Sequence, residues 1–457
     1  LIRVLKRALS TAFAARRHAV VHAAGTNLVI VGLTTTAGIV ISRTLGVEGR
    51  GYYAAIMAWF AFAQVLGELG QSGSVTFWVA RASNHKKDYV ASSRVLMLIA
   101  GGTVSALGIL MSGVLAQGVE SVTTSYRIAF FGCLLNSICA ASVYALQSVS
   151  IKRWNVVRLC QPVAYVAIVW AFSVLGILDI IWLSVALVLS IAAQFTVAMF
   201  HSYKVGLAGG RPRRALLGDL ARYGTAYAGS AIPASLSSQF DRLVLSRIAT
   251  PTDLGQYAVA SSVASLAFPF STAVASVVFP QSANDQLSEM ERRHIERRAI
   301  FGATAVSAAV SVLVAVAVAP LIPFVFGQAF SDAVGLVWWI VPAILFRSIS
   351  QVIGALLRGR HKPGLVTYGQ LLGLAVGAVS ILPFTNWLGI RGAASAVSLS
   401  ELTVLAVALA LLRREQRGTG TDRKSAIETN GLSSPTQAGV AVGTESTFRG
   451  RPEDGNQ

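Results

Sequence analysis

The chain has 457 residues, 54% of them hydrophobic and only 13% charged, yet its formal net charge is +18. A soluble nucleic-acid binder would share the charge but, at about a quarter charged residues, not the apolar excess; a disordered chain would lack the apolar residues. With a mean hydropathy of +0.62, the composition points to a polytopic membrane protein that has no nucleic-acid partner.

Residues 1–22, LIRVLKRALSTAFAARRHAVVH, are basic and amphipathic and lack the small-residue cleavage site of a secretory signal. They are expected to lie as a helix on the cytoplasmic surface. A helix crosses the hydrocarbon in about 20 mostly apolar residues. Runs of that length occur near 24–43, 52–80, 95–116, 127–149, 156–175, 180–202, 223–248, 256–280, 300–325, 333–357, 365–384 and 391–412. The second is long for one crossing, and Gly67, Gly70 and Gly73 are placed to bend it. The expected architecture is all-α: a six-helix lobe over 23–203, a cytoplasmic linker over 204–222, a second six-helix lobe over 223–412, and a disordered cytoplasmic tail from 413 to 457.

Cytoplasmic loops hold the excess of Lys and Arg in membrane proteins. With the N-terminus inside, 31 of the 38 basic residues fall in cytoplasmic segments. Arg43, Arg50, Arg127, Arg242, Arg247 and Arg391 fall at or near the outer side, and Arg347 inside the tenth span. This places both termini in the cytoplasm of a multi-pass plasma-membrane protein. Arginine outnumbers lysine 31 to 7, a bias that points to a GC-rich bacterial genome.

The same map argues against an enzyme. The outer loops have roughly ten residues or fewer. No His or Cys pair has ligand spacing, no phosphate-loop motif occurs and no loop holds paired carboxylates. Cys133, Cys139 and Cys160 all lie within apolar runs, against a disulfide framework or a metal site. No catalytic residue, metal or cofactor is therefore expected.

A repeat runs through the chain. Ile41-Ser42-Arg43 ends the first span and Leu245-Ser246-Arg247 the seventh. Gly51-Tyr52-Tyr53-Ala54 and Gly255-Gln256-Tyr257-Ala258 then open the next spans, all at one offset of 204 residues. Six spans is an even number, so the two halves are parallel repeats about an axis along the membrane normal, with a substrate site expected between them.

The segment TLGVEGRGYYAAIMAW, its echo IATPTDLGQYAVASSVA and Asp241-Arg242 resemble the oligosaccharide flippases of the polysaccharide transporter family. That family shares a superfamily with the multidrug and toxic compound extrusion (MATE) antiporters. The resemblance covers residues 20–412 by span number and loop pattern, and its motifs lie in the two outer hairpins. It implies two six-helix lobes facing a central cavity, and movement of lipid-pyrophosphate-linked oligosaccharide from the cytoplasmic to the outer leaflet by alternating access. The partners it implies are that lipid-linked oligosaccharide, membrane lipids, and a glycan polymerase with other assembly proteins. The alternatives are a cation-coupled MATE-type drug exporter and, further off, a glycan polymerase or ligase.

A charged group at mid-membrane costs roughly 2.5–3.5 kcal/mol on insertion scales, so each asks for a reason. Arg347 is central in the tenth span, Glu68 and Glu401 are similarly deep, and Asp241 and Arg242 lie a turn or two below the outer surface. Arg347 and Arg242 are candidates to hold a pyrophosphate through the bidentate guanidinium fork. Asn27, Thr34, Gln64, Gln239 and Gln351 suit sugar hydroxyls. Glu68, Asp241 and Glu401 are candidates to couple transport to H⁺ or Na⁺. The structural alternatives are an ion pair from Arg347 to Glu401 or Glu68, neutralisation of Arg242 by Asp241, and interface anchoring for Arg43 and Arg247. Prolines 233, 269, 320, 323, 342 and 383 fall in the last six spans, against Pro162 alone in the first six, so the second lobe is expected to bend more.

Overall fold

The computed structural model describes the backbone of residues 2–82, 84–268, 271–272, 274–275, 289–360 and 362–431, and side chains between 25 and 416 within these ranges except at 267, 289 and 363. The chain forms two units, Leu1–Leu412 and Arg413–Gln457. Among the described residues it is all helical: α1 (Ile2–Glu68), α2 (Gln71–Arg81), α3 (Lys86–Leu115), α4 (Glu120–Val149), α5 (Ile151–Val174), α6 (Ile180–Lys204), α7 (Arg214–Ile248), α8 (Pro251–Ala264), α9 (Glu289–Phe326), α10 (Asp332–Gly359), α11 (Pro363–Leu388) and α12 (Ile390–Gly431).

In hydrocarbon every backbone polar group must be satisfied within its own segment, which is why apolar runs of this length become helices. Nine helices among the described residues are long and apolar enough to cross a membrane. One of them, α1, supplies two crossings, because Gly46 (φ 66°, ψ −167°) breaks it in the middle. A single left-handed residue thus replaces the loop expected over 44–51. Leu69 and Gly70, both at positive φ, separate α1 from α2 and bend the long second crossing where its glycines had pointed. Helices α7, which is more polar, and α8 stand at the places of the seventh and eighth expected spans and are not among these nine; the expected span 256–280 lies partly outside the described residues. Side-chain caps fix some starts: the Asp179 carboxylate accepts from the Trp182 amide (2.7 Å) at α6, and Thr250 accepts from the Asp253 amide (3.1 Å) at α8, ahead of Pro251.

Two boundaries differ from expectation. The stretch between α6 and α7 is only 205–213, because α7 begins at Arg214. The last helix continues to Gly431, so 413–431 is helical where a disordered tail was expected; extending a formed helix costs far less than nucleating one. Residues 432–457 lie outside the described residues, as do the side chains of the amphipathic segment 1–22.

The two ends of the bundle pack differently. We call the end bearing the turn at Gly46 and the α7–α8 turn the hairpin end, and the end bearing 205–213 the linker end. At the hairpin end one apolar core runs through both lobes, from Ile41, Ile56 and Tyr126 to Tyr257, Ile322 and Phe330. At the linker end the cores are separate, one around Val75, Val157 and Leu220 and one around Val352, Leu356 and Leu412.

The repeat is visible as reciprocal contact at the hairpin end. A Cβ placed on Gly51 would overlap the carbonyl oxygen of Pro251, and one on Gly255 would overlap that of Val47. The offset of 204 exchanges Val47 with Pro251 and Gly51 with Gly255, so one contact is the image of the other. Arg43 and Arg247 obey the same exchange. Arg43 donates from Nε to the Val325 carbonyl (2.8 Å) and from Nη2 to that of Phe324, in the last turn of α9. Arg247 donates to the Val114 carbonyl (2.6 Å) in the last turn of α3. Each first helix thus caps the third helix of the opposite lobe, where free carbonyls and the helix dipole favour a cation. Beside the interface anchoring expected of these arginines, their bonds cross between lobes.

At the linker end, 205–213 is fastened to the first lobe. The Arg211 amide donates to Asp88 (3.1 Å), the Arg213 guanidinium pairs with Asp88 (2.8 Å) and the Arg213 amide donates to Ser92 (3.0 Å). The start of α7 follows: Gln71 and Ser74 donate to the Leu220 carbonyl (3.1 and 3.0 Å), and Phe77 stacks on Tyr223 with centroids 4.3 Å apart. Pro233 lies inside α7, where it removes one intrahelical hydrogen bond before the hairpin-end half of the helix.

A cationic cavity between the lobes

Between the lobes lies a cavity of about 510 Å³. From the first lobe it is lined by Thr34, Thr35 and Gly38, then Arg50, Tyr53 and Met57; the second lobe adds Ser238, Arg242, Ser262, Phe326, Ile344 and Arg347. Ser238 and Arg242 are four residues apart on one face of α7, and Arg50, Tyr53 and Met57 repeat at helical spacing on α1. Among the described residues three guanidinium groups face this space and no carboxylate lines it.

Each arginine is held differently. Arg347 donates from Nε and Nη2 to one oxygen of Glu401 (2.9 and 2.7 Å); its side chain keeps 27% exposure, whereas that of Glu401 keeps 7%. The structural pair and the cavity-facing position therefore coexist in one residue. Arg242 donates to Ser261 (3.0 Å), while its buried Nε has no partner. Arg50 is buried, sits 5.4 Å from the Tyr53 ring centre, and has an unpartnered Nε.

Arg50, expected at or near the outer side and not among the candidate site residues, lines the cavity. Its guanidinium lies against Gly38, and the offset of 204 makes Gly38 the counterpart of Arg242. The first lobe thus leaves its cavity position empty of side chain and fills it with an arginine from beyond the break at Gly46. The missing partner of Arg242 at position 38, together with the spacing of Arg50 three residues before Tyr53, was the signal for it. Replacing Arg50 by glutamine is expected to weaken binding of inorganic diphosphate at least tenfold with unchanged membrane insertion, since a charge-assisted hydrogen bond is worth roughly 1.5–3 kcal/mol; binding at the wild-type affinity would remove Arg50 from the cationic set of this cavity.

The remaining candidates divide. Thr34 lines the central cavity. Gln351 lines a second cavity, in the second lobe, which shares Arg347, Ser238 and Phe268 with the first. Asp241 is buried, accepts from the Tyr257 hydroxyl (2.8 Å) and shares a small pocket with Glu401, so it turns away from the cavity that Arg242 faces. Three amides miss both cavities. Gln239 is rotated about 100° around α7 from Ser238. Gln64 and Asn27 each lie seven residues, roughly 10 Å, past the cavity residues Met57 and Thr34 of their own helix. Asn27 accepts instead from Arg158 (2.9 Å). Glu68 lines neither cavity.

The family described as polysaccharide biosynthesis protein matches residues 21–286, more than half of the sequence. The chain belongs to this family. No curated protein matches it in sequence. Its fold is similar to that of a multidrug resistance MATE family transporter of the MOP superfamily in the inward-facing conformation (TM-score 0.72, 16% identity, covering 86% of this chain and 95% of that one). It is also similar to the lipid II flippase MurJ in an inward closed conformation (0.71, 12% identity, 90% and 93%). An outward-facing MATE family transporter scores lower (0.62, 16% identity, 88% and 96%). The family and the two-lobed fold implied by the hairpin motifs both hold, and the chain is a multi-pass membrane protein.

Proposed function

We propose that this polysaccharide biosynthesis family member is a flippase that moves a lipid-pyrophosphate-linked oligosaccharide from the cytoplasmic to the outer leaflet by alternating access. The observation that carries this reading is the central cavity, lined by Arg50, Arg242 and Arg347 and, among the described residues, by no carboxylate. A lipid pyrophosphate is anionic and cannot enter hydrocarbon bare; guanidinium forks bind phosphate bidentately. About 510 Å³ lies within the usual range of small-molecule sites and suits a short glycan headgroup. A cation exporter of the MATE type would require acidic groups facing the cargo, and here the acids sit behind the arginines. A polymerase or ligase would require a long loop to hold the acceptor, and the hairpin-end turns such as 116–119 and 175–179 are short.

The basic linker end is assigned to the cytoplasm by its excess of Lys and Arg. The continuous core at the hairpin end and the separate cores at the linker end then describe a transporter closed to the outside. Deleting the gene is expected to leave a lipid-linked saccharide accumulating on the cytoplasmic leaflet. Raised drug sensitivity with no such accumulation would reverse the reading in favour of a drug exporter. Arg347→Lys keeps the charge but loses the fork, and is expected to insert normally and export little; full export would argue against bidentate phosphate binding.

A further inference from the structure

We propose that the second lobe carries a phosphate-binding staging subsite at its linker end, which receives the diphosphate end of the cargo before the central cavity does. This rests on the flippase reading and adds a route to it. The second cavity, about 220 Å³, lies between α7, α10, α11 and α12. Arg347 stands at its inner end and Arg358 eleven residues further along α10, about 16 Å at the helical rise. Between them are Ser350, Gln351 and, from α11, Gln370.

The two arginines at the end of α10 have opposite fates. Arg360 is buried and paired with the buried Glu296 (2.6 and 3.1 Å), which accounts for its charge structurally. Arg358 lines the cavity and forms no ion pair among the described residues. Glu401 neutralises Arg347 in the same space, so the uncompensated charge of this cavity is that of Arg358. A lone guanidinium beside two side-chain amides and a hydroxyl is a phosphate-binding set. The volume is below that of sites for drug-sized ligands, so it takes the phosphate end and not the glycan. By contrast, the linker-end half of the first lobe is filled by an apolar core around Val143, Val157 and Trp154. The route is therefore one-sided: the phosphate binds at Arg358, moves along Gln351 and Gln370, and reaches Arg347, where it competes with Glu401 and enters the central cavity.

The test uses the full chain in nanodiscs of neutral lipid, with a fifteen-carbon prenyl diphosphate as probe and inorganic diphosphate as competitor, read by stopped-flow association. Arg358→Gln is expected to slow association roughly fivefold, the effect of about one basic residue near an anionic group. Arg358→Lys is expected to restore most of the rate, and Arg222→Gln, on the exposed start of α7, to change it less than twofold. Equal slowing by Arg222→Gln would reveal a general surface field and overturn the subsite. An unchanged rate in Arg358→Gln, with binding lost in Arg50→Gln, would overturn the subsite and leave the flippase reading standing. Failure of inorganic diphosphate to compete would show recognition of the lipid tail and also overturn it. A wild-type protein that binds neither diphosphate would remove the flippase reading itself.

Discussion

Replacing Arg347 by leucine is expected to abolish transport and to destabilise the protein by about 3–5 kcal/mol, because it leaves Glu401 buried without its partner. The double variant Arg347→Leu/Glu401→Leu separates the two roles. Replacing both ions of a buried pair by apolar residues is often neutral for stability, so thermal unfolding in detergent should return close to wild type. Flipping in vesicles should not return, because the cavity still lacks its central guanidinium. Recovery of flipping in the double variant would mean that Arg347 serves only to neutralise Glu401, and would withdraw it from the cargo site.

Valine at Gly51 or at Gly255 is expected to force the hairpin end apart. Each added side chain would meet a carbonyl of the opposite lobe, Pro251 in one case and Val47 in the other. Relieving such overpacking costs typically 1–3 kcal/mol, enough to shift a two-state equilibrium by roughly five- to 150-fold. Because the contacts are images of one another, the two variants should behave alike. Spin labels on the exposed Glu120 and Gln328, one from each lobe, should report longer distances in both variants than in the parent. Lengthening in one variant alone would show that the symmetry of the contact is not mechanical.

Much of this fold was legible because lipid leaves the chain few options. Hydropathy and the distribution of Lys and Arg yielded twelve crossings, and the echo of Gly51-Tyr52-Tyr53 in Gly255-Gln256-Tyr257 yielded the internal symmetry. Depth along a helix was legible too, which is why Arg347 and Glu401 were paired as candidates before their contact was seen. Rotation about the helix axis was not. Gln239 and Ser238 are neighbours in sequence, yet only Ser238 reaches the cavity. For a related reason depth alone, at or near the outer side, does not show that Arg50 faces the cavity: α1 is helical on both sides of Gly46, and the rotation of that helix turns Arg50 inward. The reciprocal capping by Arg43 and Arg247 was beyond reach, since a backbone carbonyl has no residue-specific signature.

The attachment of α7 to both lobes has a consequence for where this protein divides. Its first turns are bonded to α2 through Leu220 and Tyr223, whereas its far half supplies Arg242 to the opposite wall of the cavity. The two repeats meet near residue 210, but α7 keeps its bonds to the first lobe past that point and loses an intrahelical hydrogen bond only at Pro233, about two dozen residues later. Two fragments cut where the repeats meet would each carry part of the other's machinery; fragments meant to reassemble should be cut with that overlap in mind.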